Sequence, residues 1–390
     1  MAQLNSILDN DFYKFTMQFA VSRLFPKAQA KYRFINRGNH VFPTDFQQKL
    51  KEAIHKMAEL KLTKAEKEFL RKKCPYIDPT YLDFLEGYRY DPDEVHITQD
   101  NGMLSVTIDG YWYRTILWEV PIMALICELY YEEVQLERVD DPEVCVIVQD
   151  KMSKYDKLNI TIADFGTRRR HSYKVHDLVV RTLKEHPSKT FIGTSNVHFA
   201  MKYDSTPIGT HAHEWFMFHA AKYGYKMANL LGLEHWAEVY RGDLGIALSD
   251  TYTTEVFFKQ FDKMMTKLFD GVRHDSGDPI TFAQMTIDHY KQKGIDPKSK
   301  TIIFSDGLDY DKVENIVEFC EGKIGHSFGI GTDFTNDVGL PRMNIVLKMT
   351  EAKPDDGEWT EVIKLSDEPN KNTGSLEEIT IAKTILKIKN

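Results

Sequence analysis

The sequence predicts an α/β protein: a (β/α) barrel preceded by an N-terminal domain of mixed helices and strands. Three observations carry this reading. From about Asn159 onward, short apolar runs alternate with helical stretches, the pattern of parallel β/α units. Those runs end repeatedly in small or acidic residues: Asp164, Ser195, Asp250, Asp275, Asp306 and the pair Gly331–Thr332. The chain has 390 residues, 42% hydrophobic and 28% charged, enough for two or three domains with a well-formed core. A closed barrel gathers its strand ends on one face, where active sites sit. A doubly wound sheet also collects sites at strand ends, but so many polar endings favour the barrel.

The first third supplies the N-terminal domain. Asp11–Leu24 spaces Phe12, Phe15, Phe19 and Leu24 as an amphipathic helix that stops before Pro26. Thr44–Leu60 and Thr63–Lys73 each open with a residue suited to capping. Val95–Thr98 and Leu104–Ile108 flank Asp100, Asn101 and Gly102, a hairpin signal. Trp118–Glu133 reads as a long helix. Its apolar part, Pro121–Tyr131, is too short to span a bilayer and contains Glu128.

The strand runs that follow are NITIADF, TFIGT, GIALSD, GVRHDSG, TIIFSD and IGHSFGIGT. Helical stretches over Ser172–Glu185, Thr253–Leu268, Thr281–Gln292 and Tyr310–Glu321 lie between most of them. The tail returns to a strand pattern over Asn344–Met349 and Glu361–Leu365, with basic final residues expected on solvated surface. Together these divide the chain into an N-terminal α/β domain (1–140), a barrel-like catalytic domain (141–343) and C-terminal strands and tail packing back on the others (344–390).

Fifty basic against 58 acidic residues give a net charge of −8, which argues against nucleic acid or an anionic membrane as partner. A local basic pocket for phosphates remains compatible with that balance. Cys74, Cys127, Cys145 and Cys320 are too few for a disulfide framework and too scattered for a zinc ribbon, so reduced thiols are expected. Asp9 and Asp11 stand where a signal peptide needs a basic start and an apolar run. A cytoplasmic, membrane-free protein is the expectation.

Several strand ends carry residues suited to chemistry. In SFGIGTDF, Gly329 and Gly331 let backbone N–H groups approach an anion before Thr332, although a tight turn explains a lone G-x-G equally well. In RHDSGDP, Arg273 offers a planar fork for phosphate, and Asp275 an oxygen for ribose hydroxyls or magnesium. Asp278–Pro279 in the same segment is a helix start. SDGLD repeats the theme, with Asp306 at a strand end and Asp309 as a cap. GTHAHEWF places His211 and His213 on one face of extended backbone. That suits zinc, or an acid/base or nucleophilic histidine oriented by Glu214. For His211, satisfying a neighbouring backbone group is the favoured reading. In ADFGTRRRH, Phe165 offers a face on which a planar ligand can stack and Arg168 a charge to meet its negative group, with at most one or two of the three arginines functional, and GTSN adds small polar donors.

Taken together, DNDFYKFTM, ADFGTRRR, GTSN, PIGTHAHEWF, LGIALSD, GVRHDSGDP, IIFSDGLD, SFGIGT and KLSDEP resemble the nicotinate phosphoribosyltransferase family over nearly the whole chain. The resemblance implies an irregular (β/α) barrel with an N-terminal α/β domain, and a homodimer with shared active sites. It implies that nicotinate and phosphoribosyl pyrophosphate become nicotinate mononucleotide and pyrophosphate, the first step of NAD salvage from nicotinate. ATP is then a co-substrate, hydrolysed through a transient phosphohistidine, and Mg2+ a cofactor. By this likeness His213 is the phosphorylated residue, and Phe165 stacks on the pyridine with Tyr13 of the second subunit on its other face. Arg168 and Ser195 lie near the carboxylate. Asp250, Arg273, Asp275 and Asp306 line the ribose–pyrophosphate and magnesium region, and Gly329, Gly331 and Thr332 hold the 5′-phosphate. Serine at position 195, where nicotinamide-specific relatives carry an acidic residue, favours the acid substrate.

Overall fold

A computed structural model describes residues 4–355 and 357–388. The chain forms two compact units. The first takes in the chain up to Pro26, Ala30–Gly209 and Ile330–Lys348; the second takes in Lys27–Gln29, Thr210–Gly329 and the chain from Met349.

In the first unit the opening helix, Phe12–Leu24, buries Phe12, Phe15 and Phe19 as the spacing predicts. It also buries Lys14, Thr16 and Gln18, so it is enclosed rather than amphipathic. Paired partners make this tolerable. Lys14 Nζ lies 2.6 Å from Glu119, and Gln18 donates to the Tyr113 carbonyl and accepts from the Tyr81 hydroxyl. Strand β1 (Gln29–Asn36), which the sequence reading missed, lies beside β3 (Met103–Tyr111), and β3 pairs antiparallel with β2 (Val95–Asp100). The hairpin turn has left-handed backbone at both Asn101 (φ 47°) and Gly102 (φ 77°), the geometry an Asn-Gly pair favours. The same unit contains the parallel pair β4 (Ile162–Asp164) and β5 (Phe191–Thr194).

The second unit contains β6 (Arg241–Leu244), then the parallel strands β7 (Ile246–Leu248), β8 (Gly271–His274), β9 (Thr301–Phe304) and β10 (Gly325–Ile330), adjacent in that order. Ile246 pairs with Gly271, Gly271 with Thr301, and Thr301 with Gly325, so the strands start level and their C-terminal ends fall together. Asp278 and Asp309 cap the helices Pro279–Gln292 and Tyr310–Cys320, each accepting a backbone N–H, as the sequence indicates. Thr253–Leu268 is two helices rather than one. Asp262 accepts the Met265 N–H and starts a new helix after Phe261. Strand β11 (Ile345–Lys353) ends paired with the short β12 (Thr360–Glu361). Beyond it, Lys364 and Leu365 make only isolated bridges, to Thr373 and Tyr252. Leu376–Leu386 is a helix capped by Ser375, where the sequence suggested plain surface. The chain is thus an α/β protein with an antiparallel sheet in its N-terminal domain and a parallel sheet in its catalytic domain. Among the described residues, no helix is long and apolar enough to cross a membrane.

Candidate active site

The level strand ends of the second unit hold one cluster. His213 opens the helix His213–Tyr223 and is 12% exposed. Its Nδ1 lies 3.0 Å from Thr251 Oγ1, and its Nε2 lies 3.0 Å from Asp275 Oδ2 and 2.9 Å from Lys364 Nζ. Lys364 also donates to Asp250 Oδ2 at 2.9 Å, and Ser276 donates to the same oxygen. Arg273 spans Asp275 and Ser305 at 2.8 Å each. The ring partners that Glu214 was expected to supply are therefore Thr251 and Asp275, while Glu214 is buried in the first turn of the histidine's own helix.

Charge and burial decide the protonation states. Burial alone would raise Asp275, but Arg273 first and then His213 hold it well below the usual carboxylate range. Asp250 is likewise held low, Lys364 outweighing burial. Burial lowers His213, and the Lys364 ammonium lowers it further, so its neutral form is favoured. Asp250 Oδ1 is buried without a hydrogen-bond partner, and His213, Asp250 and Asp275 each place a ligand atom within 4.8 Å of the others. The two-histidine zinc alternative does not form. His211 Nε2 accepts the Leu248 N–H at 3.1 Å, the backbone role favoured for it, and burial pushes this imidazole down to about 3.

Asp306 is bound by Lys371, whose Nζ lies 2.8 Å from both carboxylate oxygens. Lys364 and Lys371 belong to one segment that crosses these loops. Within it, Asp367 accepts the Thr254 N–H and Glu368 the Gly277 N–H.

The first unit holds a second group. Asp164 accepts from the Gly166 N–H, from Thr194 Oγ1 and meets His176 Nε2, which shapes the turn carrying Phe165. Arg168 follows in a 3-10 turn; it is 39% exposed and only 3.5 Å from Glu119, whose other oxygen is taken by Lys14. Arg170 is buried against Asp9 in a two-pronged pair, with Asn196 also donating to Asp9. Ser195 Oγ donates to Asp11 at 2.7 Å, and the Phe12 N–H bonds the Ser195 carbonyl. A Cβ on Gly209 would come within 2.8 Å of the Tyr13 backbone nitrogen, so only glycine permits that approach. Gly329 lies within β10; Gly331 follows it, and Thr332 opens a short helical turn. Neither glycine has positive φ. What Gly331 permits is closeness, since a Cβ there would sit 3.3 Å from the Phe165 carbonyl.

The site residues therefore fall into two groups. His213, Asp250, Arg273 and Asp275 meet directly, with Asp306 held by the segment that also carries Lys364. Tyr13, Phe165, Arg168, Ser195, Gly331 and Thr332 belong to the first unit. Sequence reasoning missed Lys364 and Lys371 as well as Asp9, Asp11, Lys14 and Glu119. The KLSDEP segment was the available signal for Lys364, and DNDFYKF for the two aspartates.

Polar residues at parallel strand ends, with a buried histidine between carboxylates and a lysine, define an α/β enzyme of the group-transfer kind. Comparison with known proteins specifies which. The nicotinate phosphoribosyltransferase family model matches residues 160–389, and the N-terminal domain of that family matches residues 8–127. A nicotinate phosphoribosyltransferase of Chromohalobacter salexigens is 59% identical over 383 residues, covering 98% of each chain. One from Methanosarcina acetivorans is 42% identical, again over 98% of each. The crystal structure of nicotinate phosphoribosyltransferase from Porphyromonas gingivalis superposes with a TM-score of 0.96 at 45% identity, over 99% of this chain and 100% of that one. That from Vibrio cholerae gives 0.93 at 32% identity, over 100% and 95%. The chain belongs to the nicotinate phosphoribosyltransferase family and is an enzyme of that activity, in the salvage of nicotinate to NAD.

Proposed function

We propose that this enzyme couples nicotinate phosphoribosylation to ATP through transient phosphorylation of His213. The observation that carries this is the histidine's setting: a neutral-favouring imidazole, nearly buried, with Thr251 on one nitrogen and Asp275 and Lys364 on the other. A neutral ring is a competent phosphoryl acceptor. In the transfer step the pyridine nitrogen bonds to C1′ of phosphoribosyl pyrophosphate as the C1′–O bond to pyrophosphate breaks. The protein's task is to position the two and to meet the charge on the leaving group.

Asp250, Arg273, Asp275 and Asp306 serve the ribose and pyrophosphate, and Gly329, Gly331 and Thr332 the 5′-phosphate. Phe165 stacks on the pyridine. Arg168, partly exposed, is suited to donate to the nicotinate carboxylate. Ser195 lies beside that carboxylate. Magnesium fits the acidic strand ends, since Asp250 Oδ1 is buried and unpartnered and Asp275 is held ionised. Asp275 and Asp306 would hold it, the latter in place of Lys371, and the ion would neutralise pyrophosphate charge.

The enzyme acts as a homodimer in which Tyr13 completes the partner subunit's pyridine site. Product analysis tests the whole reading. Nicotinate, phosphoribosyl pyrophosphate, magnesium and ATP are omitted in turn. Loss of mononucleotide without nicotinate, phosphoribosyl pyrophosphate or magnesium, and its reduction without ATP, is expected. Equal product with and without ATP would overturn the coupling.

A further inference from the structure

We propose that Lys364 is a further catalytic residue, whose ammonium takes up the charge of the phosphoryl group as it forms on His213. The proposal rests on the phosphohistidine reading above. Lys364 Nζ lies 2.9 Å from His213 Nε2 and 2.9 Å from Asp250 Oδ2, and the side chain is 8% exposed. An ammonium has three donors, so a third remains for an incoming oxygen. Its backbone is fixed from both sides. Lys364 exchanges two backbone hydrogen bonds with Thr373, and Leu365 is bonded to Thr251 and Thr253. The lysine is thus fastened to the loop that carries the histidine's other partner, Thr251.

Nε2 can offer either a lone pair or an N–H, yet it faces both a donor, Lys364, and an acceptor, Asp275. When Lys364 donates, the lone pair stays on Nε2, the proton sits on Nδ1, directed at Thr251 Oγ1, and Asp275 keeps Arg273 as its donor. That tautomer is the nucleophilic one at Nε2. Its lone pair forms the N–P bond to the γ-phosphorus of ATP while the P–O bond to ADP breaks and its electrons leave with ADP. Nδ1 keeps its proton, so no base is required.

The arriving group brings close to two negative charges into a site that already holds Asp250 and Asp275. Arg273 is spanned between Asp275 and Ser305. Lys364 loses the Nε2 lone pair as the N–P bond forms, and its freed donor passes to a phosphoryl oxygen within the same reach. A lysine whose only role was to balance Asp250 would not need to touch Nε2.

The test is rapid-quench labelling of the full-length enzyme with γ-labelled ATP. Lys364→Met should lower the single-turnover rate of His213 labelling at saturating ATP by roughly 10²–10³-fold, the usual cost of removing one donor to a developing charge. ATP affinity should change less, by under about tenfold. Lys364→Arg keeps the charge and should label at least about tenfold faster than Lys364→Met. If Lys364→Met fails to fold, the same comparison is made between Lys364→Arg and Lys364→Gln. Labelling of the uncharged variant within about threefold of the parent, or no advantage for arginine, overturns the proposal. Label outside His213 in the parent enzyme would instead defeat the phosphohistidine reading itself.

Discussion

Replacing Asp9 by asparagine should cost this fold roughly 3–5 kcal/mol, the range for removing one partner of a buried ion pair. Asp9 and Arg170 are each 1% exposed and meet through two bonds of 2.7 and 2.8 Å. Asparagine keeps the shape and the contact to Asn196 but leaves the guanidinium charged and without its hydrogen-bonded counter-ion. Arg170 Nε has no hydrogen-bond partner, and the carboxylate left near the guanidinium, Glu128, attracts it without a hydrogen bond. Removing both charges, in Asp9→Asn with Arg170→Met, should recover most of the deficit, because the cost lies in the stranded charge and not in the missing attraction. The pH dependence has a defined sign. Arg170 outweighs burial and holds the Asp9 carboxyl below its ordinary 3.8. Its contribution is therefore present above that value and fades as pH falls through the folded one, so parent and Asp9→Asn should begin to converge only below about pH 4. Urea unfolding followed by tryptophan fluorescence gives both quantities. A loss under about 1 kcal/mol for Asp9→Asn, or a double variant no better than the single, would refute the argument.

Ser195→Asp should raise the nicotinate KM sharply and leave that for phosphoribosyl pyrophosphate nearly unchanged, because the new carboxylate faces both the substrate's and Asp11. Unchanged nicotinate kcat/KM would remove Ser195 from the acid site. Mixing Tyr13→Ala with His213→Ala subunits should restore ATP-stimulated activity that neither variant has alone, since one site of each mixed dimer is then intact; no recovery after proven exchange means Tyr13 serves its own chain. Folding stability should fall as pH drops from about 6.5 toward 3. Burial holds His171 near 4 and His211 and His219 near 3, so over that interval the unfolded chain binds more protons than the folded one. A urea midpoint that stays level from pH 8 to pH 5 would contradict this.

Much of this arrangement is legible in sequence wherever a local rule sets the structure. Asn101–Gly102 dictates its turn, Asp278 and Asp309 dictate their caps, and the apolar runs ending in Asp250, Asp275 and Asp306 dictate a polar rim. The backbone role of His211 is legible too, because a buried histidine beside a strand has a backbone N–H to satisfy. What sequence cannot convey is pairing over long separations. Lys364 reaches His213 across 151 positions and Asp250 across 114, and Arg170 finds Asp9 across 161. No local period encodes such partners. Lys14 follows the same rule, since its partner Glu119 lies far along the chain. The missed strand β1 does carry local signals, the turn at Pro26 and the alternation of Ala30, Tyr32 and Phe34, whereas the helix break at Asp262 depends on a single cap within an otherwise continuous helical pattern.

Incubation of the enzyme with γ-labelled ATP, followed by acid treatment and peptide mapping, tests the central claim most directly. The account predicts one acid-labile label on His213, absent in His213→Ala along with ATP hydrolysis and the stimulation of product by ATP, and retained in His211→Ala. Acid-stable label, or label carried by any other residue, would contradict it.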